Sequence, residues 1–165
     1  MTTAEALLTL ALYEPDIAQN VGAMLRTCAC LGVDAAIIEP AGFALSDRRL
    51  RRSGMDYLDA LSIERHLSFQ RFENWRAEAK RRLVLLTTKG DDALWDFAFA
   101  PGDVVLVGRE SAGVPDEVRQ AADARVRIPI RQPLRSLNVG VAAALALGEA
   151  RRQLRAHSAE QIERA

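Results

Sequence analysis

At 165 residues, with 49% hydrophobic and 27% charged side chains, the chain is sized for a single folded domain and lies far from the compositions that stay disordered. Basic and acidic residues balance at 22 each, so no global basic field exists to attract nucleic acid. Any such attraction must come from local arginines, because Lys80 and Lys89 are the only lysines.

The opening MTTAEALLTLALYEP has no basic leader, and its apolar run is too short to span a bilayer, so a reducing cytoplasm is the expected setting. Leu7 to Tyr13 reads as a buried strand. Val21, Met24, Leu25, Cys28 and Leu31 then fall on one stripe at steps of three and four, which predicts a helix with Asn20 at its N-cap and Gly32 at a left-handed C-cap. Arg26 lies off that stripe, towards solvent, a ligand or another chain. Cys28 and Cys30 point to opposite faces of the same helix and form neither a disulfide framework nor a metal pair.

Ala35 to Glu39 reads as a second strand, followed by the arginine-rich DRRLRRSGMDY from Asp47 to Tyr57. His66 to Arg82 predicts an amphipathic helix carrying Phe69, Phe72 and Trp75. Further strands are expected at Leu83 to Thr88, Val104 to Val107 and Val126 to Ile130. After Pro133 a last helix is predicted over Ser136 to Leu154, rich in alanine and glycine, whose small side chains suit close packing on the sheet or on a partner subunit. The domain is expected over 1–155, with 156–165 as a polar tail. Strands alternating with helices predict an α/β fold, a mostly parallel sheet flanked by helices.

Three turns should collect at the carboxyl ends of strands: TTKGDD after Leu86, GRESAG after Val107 and PIRQPLRSLN after Ile128. Glu110 stands beside the first glycine of the second turn, where it would repel a phosphate. Neither a dinucleotide fingerprint nor a P-loop occurs. No metal-ligand spacing appears, His66 and His157 lie outside the turns, and no serine triad is present. An adenosine-like ligand with a cationic centre and no phosphate, such as S-adenosylmethionine, suits glycine turns plus a carboxylate.

In order along the chain, LYEPDIAQNVGAMLRTCACLG, IIEPAGFALSDRRLRRSGMDY, LLTTKG, VGRESAGVP and RIPIRQPLRSLN resemble the SPOUT superfamily of RNA methyltransferases. They are most similar to the small bacterial enzymes that 2′-O-methylate the tRNA wobble nucleotide. The likeness runs from about Leu12 to Leu154. It implies a homodimer, S-adenosylmethionine as methyl donor, tRNA recognised at its anticodon stem-loop, and a C-terminal stretch threaded into a trefoil knot. It further implies cofactor contacts from Leu86, Thr87, Gly108, Ile128 and Ser136, and a catalytic group of Asn20, Arg26, Glu110 and Asn138. RNA phosphates would meet Arg48, Arg49, Arg51 and Arg52.

Two departures from the wobble branch stand out: Arg109 follows Gly108 where proline is usual, and Asn138-Val139-Gly140-Val141 is closer to the wider ribose methyltransferases. Methylation of another tRNA or rRNA ribose, or RNA binding without catalysis, are the alternatives. A guanidinium has no lone pair to accept a proton at neutral pH, so Arg26 is expected to hold a phosphate or the developing alkoxide. Glu110, a water or the phosphate would then take the proton.

Overall fold

The computed structural model describes residues 7–44, 48, 50, 52 and 55–155. Seven strands are present: β1 (Leu8–Tyr13), β2 (Asp34–Ile38), β3 (Ile63–His66), β4 (Leu83–Leu86), β5 (Asp92–Ala93), β6 (Asp103–Val107) and β7 (Ala124–Arg127). They form one sheet in the order β3-β2-β1-β6-β4-β7-β5, and every pairing is parallel. The α/β sheet expected from the sequence is therefore found.

Side chains alternate across this sheet, as the period of a strand requires. Leu8, Leu10 and Leu12 of β1, with Val105 and Val107 of β6, face helices α1 (Ala18–Leu31) and α4 (Val139–Leu154). Ala11, Tyr13, Val104 and Leu106 face the other way, onto α2 (Phe69–Glu78) and α3 (Asp116–Ala121). Burial on both faces is why β1 and β6 read as continuous apolar runs. At the start of β6, buried Asp103 is held by the Arg82 guanidinium at 2.7 and 2.9 Å and by the Ala100 N–H.

Helix α1 ends as its sequence predicts. Gly32 takes a left-handed conformation (φ 61°), and Val33 N–H bonds back to the Cys28 carbonyl at 2.9 Å. Cys28 is buried and Cys30 exposed; burial pushes the Cys28 thiol up to about 12. No helix among the described residues is long and apolar enough to cross a membrane.

Four expectations need correction. Ile17, not Asn20, is the N-cap of α1, with extended backbone and no side-chain cap. The helix begins as soon as Pro15 is passed, so Asn20 is its third residue and its side chain serves a distant turn instead. His66 to Arg82 is not one helix: His66 ends the edge strand β3, and Ser68 caps α2 by accepting from Arg71 N–H at 3.2 Å. The last helix starts at Val139 rather than Ser136, because Asn138 accepts from the N–H groups of Gly140 and Val141 and so fixes the first turn there. The strand expected at Val126 to Ile130 lies earlier, at Ala124–Arg127.

Candidate active site

Because all seven strands run parallel, their carboxyl ends share one edge of the sheet, and the neighbours β6, β4 and β7 bring their following turns together there. Between them lies a cavity of about 560 Å³, within the range of small-molecule sites. Leu86, Thr87 and Thr88 line it from the first turn, Gly108 to Glu110 and Gly113 from the second, and Ile128, Ile130, Ser136 and Asn138 from the third. Asn20 reaches in from α1. The three turns converge as expected.

Two glycines of these turns leave no room for a Cβ. A Cβ on Gly108 would lie 2.7 Å from the Gly113 carbonyl carbon, where Arg109 and Gly113 exchange backbone hydrogen bonds at 2.9 and 3.0 Å. A Cβ on Gly90 would lie 2.4 Å from the Arg127 nitrogen, so the first turn sits directly on the end of β7. Thr87 N–H reinforces this contact by donating to the Val126 carbonyl at 2.9 Å.

Three polar side chains from distant parts of the chain form one line. Asn138 Nδ2 donates to Asn20 Oδ1 at 3.2 Å, and Asn20 Nδ2 donates to Glu110 Oε1 at 3.2 Å. Asn138 is also the cap of α4, which fixes its amide orientation and in turn that of Asn20. Glu110 Oε2 is buried without a hydrogen-bond partner. Burial and the neighbouring Asp16 carboxylate raise the Glu110 carboxyl above its ordinary value. Asp16 is held low, at about 2, by hydrogen bonds from the Glu110 and Ser111 side.

Of the residues singled out from the sequence, eight line this cavity: Asn20, Leu86, Thr87, Gly108, Glu110, Ile128, Ser136 and Asn138. Arg26 does not. It is exposed, and its guanidinium stands over the Tyr57 ring at 4.9 Å from the centroid. Arg48 and Arg52 are exposed and helical, whereas Arg49 and Arg51 lie outside the described residues. Arg109, where proline was expected, lines the cavity and pairs with Glu14 at 3.2 Å. Sequence reasoning missed Asp16, which binds the second turn from 94 residues away in sequence. No local pattern marked it, because its partners on that turn lie 94 and 95 residues away.

The SpoU rRNA Methylase family profile matches residues 7–148. The chain belongs to that family. Among SpoU relatives, a tRNA (cytidine(34)-2'-O)-methyltransferase of Beijerinckia indica is 64% identical over 145 residues, covering 88% of this chain and 91% of that protein. A solved structure concerned with the 2-OH methylation of C/U34 on tRNA superposes with a TM-score of 0.87 at 38% identity, over 93% of this chain and 99% of the other. The SpoU methyltransferase AviRb from Streptomyces viridochromogenes, in complex with the cofactor AdoMet, superposes with a TM-score of 0.85 at 28% identity, over 92% of this chain and 59% of the other.

The cavity suits a phosphate-free adenosine cofactor. Its walls are backbone turns and the apolar side chains of Leu86, Ile128, Ile130 and Val139, and the charged side chains lining it are Arg109, already paired, and Glu110. A triphosphate would need compensating cations that this lining lacks, whereas an acidic edge favours a sulfonium.

Proposed function

We propose that this protein is an S-adenosylmethionine-dependent methyltransferase that 2′-O-methylates the ribose of the wobble nucleotide in tRNA anticodons. The observation that carries the reading is the Asn138–Asn20–Glu110 line at the rim of the three-turn cavity, in a chain that matches the curated wobble enzymes almost end to end.

Leu86, Thr87, Gly108, Ile128 and Ser136 would hold the cofactor, which when bound supplies an electrophilic methyl on sulfur. Asn20 and Asn138 orient the Glu110 carboxyl. Glu110 would accept the ribose hydroxyl proton as that oxygen takes the methyl group the bound cofactor would supply. Alignment of these groups supplies much of the rate, since the sulfonium is already a good leaving group. Arg26, exposed on α1, holds an RNA phosphate or the developing alkoxide, with Arg48, Arg49, Arg51 and Arg52 gripping further phosphates of the anticodon stem-loop.

The catalytic unit is one domain over 1–155, with 156–165 appended to it, and the stretch leading into α4 is threaded as a trefoil knot. It works in the cytoplasm as a homodimer. Support for the dimer comes from Val141 and Leu145 of α4 and Leu137 just before it, which recur at steps of four and expose 40–51% of their surface. Incubation with labelled S-adenosylmethionine and either total tRNA or ribosomal RNA tests the reading. Label should enter tRNA; label in ribosomal RNA alone, or in neither with no heat of cofactor binding, would overturn it.

A further inference from the structure

The connection from β1 to α1 carries Asp16, and both its carboxylate oxygens are spent on the second turn. Oδ1 accepts from the Glu110 backbone N–H at 3.2 Å, and Oδ2 accepts from the Ser111 hydroxyl. Asp16 is itself fixed from behind. Gly42 N–H donates to the Pro15 carbonyl at 2.8 Å, and a Cβ on Gly42 would lie 3.0 Å from the Asp16 Cα.

Among the described residues, the groups facing Glu110 leave it short of positive charge. Helices α1 and α4 offer only the neutral amides of Asn20 and Asn138, the β1–α1 connection offers the Asp16 carboxylate, and Arg109 on the same turn has its guanidinium on Glu14 at 3.2 Å. Glu110 Oε1 takes the Asn20 amide, while Oε2 is buried with no donor. A buried carboxylate oxygen without a donor, next to a second carboxylate, binds a proton more readily than one in water.

We propose that Asp16 is a positioning residue for methyl transfer: it anchors the Glu110 turn against α1, and its charge sets the pH range over which Glu110 takes the ribose proton. This rests on Glu110 being the proton acceptor. The lowered Asp16 and raised Glu110 carboxyls agree with it.

Single-turnover methylation of tRNA, measured against pH with saturating S-adenosylmethionine, tests it in wild type, Asp16→Asn, Asp16→Glu, Ser111→Ala and Glu110→Gln. Glu110→Gln should lose the acid limb along with roughly 10²- to 10⁴-fold of the rate. Asp16→Asn should move the acid limb to lower pH, since removing a neighbouring negative charge makes Glu110 hold its proton less tightly, with cofactor affinity within about twofold of wild type. Asp16→Glu, which keeps the charge, and Ser111→Ala, which removes a brace but no charge, should both retain the wild-type limb. An Asp16→Asn limb that coincides with wild type at a reduced plateau would make Asp16 a mere brace and overturn the proposal. Should Asp16→Asn fail to melt cooperatively, a displaced limb in Ser111→Ala would overturn it equally. A wild-type limb in Glu110→Gln would instead remove Glu110 as acceptor, and this inference with it.

Discussion

Replacing Gly108 by alanine adds one methyl group where the Gly113 carbonyl carbon stands 2.7 Å away. The neighbour is backbone, held by the Arg109–Gly113 hydrogen bonds, so it cannot turn aside as a side chain could. Gly108→Ala should therefore weaken S-adenosylmethionine binding at least tenfold, about 1.4 kcal/mol, by calorimetry, while the chain still melts cooperatively; unchanged affinity would mean the turn is not a cofactor wall. At this scale the sequence was legible where a residue type admits few explanations. Gly108 and Glu110 stood out because a carboxylate beside a turn glycine does not suit phosphate. Asn20 was ambiguous, since an asparagine near a helix start serves equally as a cap or as a side chain sent elsewhere, and spacing does not separate the two. Asp16 was invisible because its partners are 94 and 95 residues away.

The strands that sequence reasoning found are those inside the sheet, with a neighbour on either side, and the ones it missed, β3 and β5, are edge strands. Glu64 and Arg65 of β3 are exposed, and charged edges lack the apolar run that marks a strand. His66 at the end of β3 packs against Phe72 and Trp75 of α2, with ring centroids 5.5 and 5.1 Å away, and its Nε2 is buried without a partner. Burial lowers the His66 imidazole below its ordinary 6.5, so the folded state favours the neutral ring. The unfolded chain binds the proton first as pH falls, so stability is full above about 6.5 and declines below it towards the lower folded value. Urea midpoints should fall between pH 8 and pH 5 in the wild type, and by less in His66→Leu. An equal fall in both would show that His66 is not responsible. The arginine-rich segment belongs to this scale as well. Arg48→Ala with Arg52→Ala should flatten the log–log salt dependence of tRNA binding by about two phosphates' worth, and an unchanged slope would leave both as solvated surface.

For the molecule as a whole, the cavity depends on an arrangement that no local pattern encodes: β6 lies between β1 and β4, so turns from residues 86, 107 and 128 onward meet beside a helix that begins at Ala18. Alternating strands and helices indicated a parallel sheet with a site at its carboxyl edge, and that much was readable from periodicity. Strand order was not, because the apolar runs of β1, β2, β4 and β6 look alike and any of them could pair with any other. Nor did periodicity explain why α4 is so rich in small residues; the structure does, with Ala143, Ala146 and Ala150 buried in the core and Gly140 where an added Cβ would lie 3.1 Å from Asn138 Oδ1. Where the methyl group goes decides the assignment. Purified protein, S-adenosylmethionine and unmodified tRNA should yield one new 2′-O-methyl group, at the ribose of anticodon position 34, when the product is mapped nucleotide by nucleotide, and should do so roughly 10²- to 10⁴-fold more slowly with Glu110→Gln. A methyl on a base, or on a ribose outside the anticodon, would contradict it.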